Sequence, residues 1–314
     1  MEYFQIILNQ LFVFAIYILT GVIAVKIGVI RQRDLQVISS VIIKITMPIM
    51  LFRNTLHGAT KEQFIHTMPF LVLAAAMFLC FYIIFLGMAK LFRLKGDIAK
   101  VYRATSMFGN VGFMGIPIIS VLFPEKGMLY IALFTVVDQL LLWTLGVQLT
   151  LPAEENSNFM LNIERAKKMI NPSTVAIILA IIGVCFGITI PGGIDTALEK
   201  TGNITSPLAL IYLGGLFCFT NIKNSIKRKE FYGTVLVKML LFPFCFYQLA
   251  GFFPGIDGEM RFAITVLSAM PSMSSVAMLA EAQNSEGKYS ACEVFFTTVC
   301  CIVTLPLLCL IISN

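Results

Sequence analysis

Two stretches of this chain put small, polar and helix-breaking residues where an apolar run would otherwise continue. The first reads Ser106-Met107-Phe108-Gly109-Asn110-Val111-Gly112-Phe113-Met114-Gly115-Ile116-Pro117, and the second reads Ser268-Ala269-Met270-Pro271-Ser272-Met273-Ser274-Ser275. Three glycines and a proline between Gly109 and Pro117 make a poor uninterrupted helix. A break in an apolar segment frees backbone N–H and C=O groups that lipid cannot satisfy, so each stretch must face protein, water or a bound molecule. Pro117 and Pro271 suit the first position of a half-helix that resumes after the break, where no donor is needed. Two half-helix N-termini meeting from opposite sides would each act as roughly half a positive charge with free amides, and such a centre favours an anion. The candidate binding residues are therefore Gly109, Asn110, Gly112 and Pro117 from the first stretch, with Pro271, Ser272, Ser274 and Ser275 from the second. The competing reading is that the prolines only kink continuous helices.

Other polar residues stand inside apolar runs. Asp138, followed by Gln139, falls in mid-segment, where an acid costs about 2.5–3.5 kcal/mol on insertion scales. It reads as a proton relay or a cation ligand, or else as a hydrogen-bonded packing residue. Burial and a nearby anion would both favour its protonated form, so transport of a carboxylate should rise as pH falls if Asp138 is the coupling acid. Lys44 lies deep in its segment and is a candidate partner for Asp138 or for a bound carboxylate. Lys238 lies close enough to a segment end to snorkel to the membrane surface. Gly183-x-x-x-Gly187 permits close helix packing and, conceivably, dimerisation.

The elements that position these residues follow from composition. Of 314 residues 58% are hydrophobic and only 13% charged, too apolar for a soluble protein of this size. Runs long enough to cross a bilayer repeat along the chain, and they lack the alternating polarity of barrel strands. The net charge of +6 comes from short basic connections, which serve topology, so nucleic acid is not an expected partner. No Gly-Lys-Ser or Gly-Lys-Thr phosphate loop argues for an ATPase, and His57 and His66 are the only histidines. With no Cys-x-x-Cys pair, neither a metal nor a cofactor is expected. The eight cysteines fall within or at the ends of apolar segments, as small hydrophobes do. No Ser/His, paired-Asp or metal-ligand set suggests an enzyme.

Ten spans are predicted, at about 4 to 25, 34 to 54, 66 to 90, 98 to 123, 127 to 150, 172 to 190, 204 to 221, 231 to 253, 259 to 282 and 289 to 312. Counted over alternate connections, Lys and Arg number sixteen on one side and five on the other. The richer side is cytoplasmic by the positive-inside rule, which leaves both termini outside the cell membrane. A connection over 151–170 separates a first half, 1–150, from a second, 171–314. A shift of about 160 residues lays Gly28 on Gly187, Thr46-Met47-Pro48 on Thr205-Ser206-Pro207 and Gly127 on Gly287, with Phe134-Thr135 near Phe296-Thr297. Five spans per copy make the second copy insert upside down, an all-α fold of two inverted five-helix repeats in which broken helices 4 and 9 cross.

With these residues the chain resembles the auxin efflux carrier family, which includes plant auxin carriers and bacterial malate or malonate permeases. The shared pattern comprises Met47-Pro48, Asn110 with Met114-Gly115-Ile116-Pro117, Val136-Val137, Gln139 and Trp143, then Asn171-Pro172-Ser173-Thr174, Ala269-Met270-Pro271 and Leu305-Pro306. The resemblance implies that spans 1, 2, 6 and 7 form a dimerising scaffold and that spans 3–5 and 8–10 form a moving, elevator-type transport domain. It implies carboxylate binding where the broken helices cross, with Asn110 contacting substrate, Gln139 lining the site, and Pro117 and Pro271 as the crossover prolines. The central loop is short, and Asp138 departs from the apolar residue expected of plant members.

Together these features predict a secondary transporter of small organic anions working by alternating access, as a homodimer in the lipid bilayer. The rivals are a cation-coupled carrier of the sodium/proton antiporter or bile-acid type, and a membrane sensor that binds a carboxylate without moving it.

Overall fold

The computed structural model describes residues 2–57, 61–152, 172–220 and 226–313. Most of the expected connection between the halves, Asn171 and Lys223 lie outside the described residues. All of the regular secondary structure is helical. The helices are α1 (Glu2–Lys26), α2 (Gln32–Val41), α3 (Met47–His57), α4 (Lys61–Leu91), α5 (Gly96–Met107), α6 (Ile116–Leu122), α7 (Gly127–Leu141) and α8 (Val147–Thr150). The second part of the chain contributes α9 (Pro172–Phe186), α10 (Gly192–Asn203), α11 (Thr205–Cys218), α12 (Lys229–Leu236), α13 (Phe242–Ala250), α14 (Gly258–Ser268), α15 (Ser274–Ala282) and α16 (Gly287–Ser313).

Among the described residues four π-helical turns join neighbouring segments: Ile42–Thr46 between α2 and α3, Val111–Gly115 before α6, Leu142–Gly146 between α7 and α8, and Val237–Leu241 between α12 and α13. Three have a sequence cause. Pro48, Pro117 and Pro243 each stand two residues beyond a π turn. A proline inside a helix cannot donate to the carbonyl four residues back, and its ring presses on it. Those carbonyls belong to Lys44, Phe113 and Met239, the middle residue of each turn, and the wider winding moves them clear of the ring. The bonds that close the turns run from Met47 N–H to Ile42, from Ile116 N–H to Val111 and from Phe242 N–H to Val237. At the fourth turn Gly146 lies against Phe108, whose ring a Cβ would meet at 3.1 Å.

With the π turns included, six helices among the described residues are long and apolar enough to cross a membrane: Phe4–Lys26, Gln32–His57, Ile65–Leu91, Gly127–Thr150, Lys229–Ala250 and Gly287–Ile312. The other four expected spans fall on the shorter helices α9 and α11 and on two interrupted ones, α5 with α6 and α14 with α15. Large side chains such as Phe12, Leu19, Val72, Ile83 and Val303 are exposed, an outer surface that only lipid covers favourably. Inside, the Phe78 ring of α4 sits 5.6 Å from Phe108 and 5.5 Å from Phe134, so it clamps the first interruption against α7.

Gly28 and Gly187 end α1 and α9 in the same way. Both have positive φ, +81° and +65°, and in both the next amide bonds back to a carbonyl in the last helical turn (Val29 to Ala24, Ile188 to Gly183). Gly187 is thus a helix cap, and Gly183 lets α9 pack closely on α3, where a Cβ would press on Leu56. An amphipathic helix, α10, replaces the loop expected between the sixth and seventh spans, with Asp195 in its first turn and Lys200 in its last.

Candidate functional site

Both interruptions exist, and they pair with each other. After α5 the chain is extended at Phe108 (φ −84°, ψ 131°) and turns at Asn110 before the helix resumes at Val111. After α14 it runs through Ala269 to Met273 before α15. Gly109 and Ser272 face each other in an antiparallel bridge. The Asn110 N–H donates to the Pro271 carbonyl at 2.7 Å, and the Met273 N–H donates to the Phe108 carbonyl at 3.1 Å. Ser272 N–H donates to Thr297 Oγ1 of α16 at 3.0 Å. The groups freed by the two breaks therefore satisfy one another across the crossing, which membrane burial requires. Gly109 allows the approach, since a Cβ there would lie 3.2 Å from Met270 Cβ.

This geometry corrects the placing of the prolines. Pro271 lies in the extended break, three residues before α15, and its carbonyl serves the crossing. Pro117 stands in the first turn of α6, but the half-helix already starts at Val111.

A recess of about 50 Å³ opens where the half-helices begin, bordered by Asn110, Gly112, Gln139, Trp143, Ser173 and Ser275 among others. The first-turn amides of a helix have no intrahelical partner, so Gly112 and Ser275 bring helix N-termini to this recess from both interrupted elements. Asn110 is 1% exposed, and its Nδ2 has no partner among the described residues. Gln139 is held at both ends: Trp143 Nε1 donates to its Oε1 at 3.1 Å, and its Nε2 donates to Asp138 Oδ2 at 3.0 Å. Met47 closes on Gly112, and a thioether chain of that kind moves readily to admit a larger group. Of the other candidates, Gly109 and Pro271 hold the crossing, Ser272 and Ser274 are buried with unpartnered hydroxyls, and Pro117 borders a different cavity.

Behind the crossing lies a charged group that sequence depth misplaced. Lys238 does not snorkel; it is 0% exposed in the π turn after α12, and its Nζ donates to the Phe108 carbonyl at 2.8 Å. Glu293 of α16 is also 0% exposed, with one carboxylate oxygen taking the Ser106 and Thr234 hydroxyls and Oε2 unpartnered. Asp138 likewise keeps Oδ1 unpartnered. The ammonium whose charge acts on Asp138 is that of Lys238. Lys44 is exposed and has no ion pair among the described residues. Glu293 sits in the second turn of α16, so counting from the helix end makes it look interfacial. Its one sequence signal is an acid in a turn otherwise occupied by Ala291, Cys292 and Val294.

A second cavity of about 530 Å³ is bordered by Tyr17, Arg53, Asn54, His57, Pro117 and Ser206 among others. Arg53 is fixed there by two hydrogen bonds to Asp195 of α10, at 2.9 and 3.0 Å, and by one to Glu199 at 3.1 Å. His57 Nε2 approaches Asp195 at 2.8 Å. The Arg53 guanidinium, bonded to Asp195, holds that carboxyl below its usual range, and His57 adds to the effect.

Six long apolar helices, a lipid-facing exterior and a buried polar recess at a backbone crossing define a membrane transporter. Residues 5–309 match the family described as membrane transport protein, and the chain belongs to that family, the one that contains the auxin efflux carriers. It is similar to an uncharacterized transporter of Methanocaldococcus jannaschii, 24% identical over 303 residues that cover 93% of this chain and 94% of the relative. It is also similar to an uncharacterized transporter of Methanothermobacter thermautotrophicus, 26% identical over 305 residues with the same coverage.

Proposed function

We propose that this transporter carries small organic anions and binds their carboxylate in the recess at the crossing. The observation that carries the reading is Asn110: a nearly fully buried amide with an unused donor, beside first-turn amides of two half-helices. A carboxylate supplies the acceptors that these donors lack, whereas a cation would meet their positive ends.

The same reading takes the chain as two inverted repeats, 1–150 and 171–314. The matched glycine caps at Gly28 and Gly187 and the pairing of corresponding interruptions support it. Spans 1, 2, 6 and 7 then act as the dimeric scaffold, and the elements that carry the crossing move against it as an elevator. Both termini lie outside the cell membrane. Single cysteines placed at Arg93 and Lys227 in a cysteine-free background should react only from the cytoplasm. Labelling of those positions from outside would reverse the topology.

Purified protein screened with mono- and dicarboxylates should melt at a higher temperature with at least one of them, and proteoliposomes should take up that compound. Asn110→Ala should weaken its binding by about tenfold or more, the worth of one or two lost hydrogen bonds to a charged group, in a protein that stays monodisperse. Wild-type affinity and rate in both Asn110→Ala and Pro271→Leu would remove the site. Sodium or proton flux without any organic substrate would replace the reading with cation antiport, for which Asp138 and Glu293 would be the ligands.

A further inference from the structure

Lys238, Glu293 and Asp138 place one ammonium and two carboxyl groups in a region that is 0–2% exposed. Two ionised acids would leave that region with a net negative charge, which a dry interior does not hold without a further cation. One ammonium balances one carboxylate. Glu293 accepts two hydroxyl hydrogen bonds, from Ser106 and Thr234, and Asp138 a single one, from Gln139, so Glu293 is the better-held carboxylate and the resting counter-ion, and Asp138 carries the proton. The ammonium is also bonded to Phe108, the residue that opens the crossing two positions before Asn110. Asn110 borders the recess two residues from Phe108, so an anion lodged there adds negative charge close to the Lys238–Glu293 pair.

We infer that Glu293 is a proton-binding site that loads together with the substrate anion, so that the protein takes up one proton with each monoanion it admits. This inference rests on the carboxylate reading of the recess and moves the coupling acid from Asp138 to Glu293. The balance is simple: a monoanion and a proton enter, the anion rests in the recess beside the crossing that Lys238 braces, and the proton settles on Glu293 Oε2, the oxygen that has no partner. Ser106 and Thr234 stay on the other oxygen in both states. The further ionisable groups around Glu293 are Tyr102 on α5, Glu230 on α12, Tyr289 and Cys301 on α16, and Arg228 beyond Tyr289. Glu230 has its own partners in Arg228 and Tyr289, which leaves Lys238 to Glu293 and Asp138.

The test uses the full chain in detergent, weakly buffered and with a pH-indicating dye, with propionate and malonate as probes. Wild type should take up about one proton per occupied site with propionate. Its affinity should fall by about tenfold per pH unit once Glu293 is ionised. Glu293→Gln imitates the protonated acid, so it should bind propionate without proton uptake and with an affinity that changes less than about threefold over the same range. Asp138→Asn should keep the wild-type proton uptake, because Asp138 is already protonated. Binding without proton uptake in wild type, retained uptake in Glu293→Gln, or uptake lost in Asp138→Asn would each overturn the inference while leaving the carboxylate site in place. Should Glu293→Gln not fold, the wild-type and Asp138→Asn measurements still decide. Failure of wild type to bind either probe, or any other carboxylate of the panel, would remove the carboxylate reading and this inference with it.

Discussion

Lys238→Met is expected to destabilise the protein by about 3–5 kcal/mol, the usual result of removing one partner from a buried ionic group. Two groups lose their complement at once. The Phe108 carbonyl keeps only the Met273 amide, and the Glu293 carboxylate is left in a dry region without a cation. Methionine fills most of the space, so packing is not the main loss. The size of the effect should depend on pH, shrinking in acid, where a proton neutralises the stranded carboxylate, and growing as pH rises. Lys238→Met combined with Glu293→Gln should recover more than half of the loss, because the second change removes the stranded charge. Thermal unfolding of the four proteins of this cycle in detergent measures both quantities. Additive losses, or a wild-type melting temperature for Lys238→Met, would show that the ammonium does not balance the acids.

That group also marks where the sequence stops being legible. The interruptions could be read because glycine and proline act locally: Gly109 and Pro271 weaken a continuous helix whatever surrounds them. Asn110, Gly112, Gln139 and Ser275 come together as the resemblance and the two broken runs imply. Depth could not be read in the same way. Lys238 and Lys44 each lie several residues from a segment end, yet one is wholly buried and the other exposed. The difference arises from which face of the helix meets the crossing, and that is fixed by α5 and α16, far away in sequence. The π turns were legible in principle, since Pro48, Pro117 and Pro243 stand at one spacing from each. The α10 helix was obscured by Gly192 and Gly193 at its start, which read as loop until Asp195 is seen bound to Arg53.

The other large effect is expected where α1 and α11 cross. Gly21 of α1 lies against the Ile211 carbonyl of α11, and Gly214 of α11 lies against the Ile18 carbonyl of α1. A Cβ at either position would fall well inside van der Waals contact with backbone, which cannot swing aside as a side-chain tip can. Lipid offers no hydrophobic drive for helices to associate, so this close approach through small residues is what holds the pair together. Gly214→Ala and Gly21→Ala should each cost about 1–3 kcal/mol, the range of overpacking in a tight interior. The double variant should cost less than the two added together, because the helices need to part only once. Gly87 of α4 gives the opposite sign: nothing lies within 4 Å of a Cβ there, so Gly87→Ala should be neutral or stabilising by up to about 1 kcal/mol. The crossing also bears on function, since α1 borders the Arg53 cavity through Tyr17 and a separate apolar cavity of about 670 Å³ through Leu11, Phe14 and Leu19. Parting α1 from α11 would change both walls. Melting temperatures of the four variants decide the matter: equal stability of Gly214→Ala and Gly87→Ala would mean that the helices do not meet through these glycines.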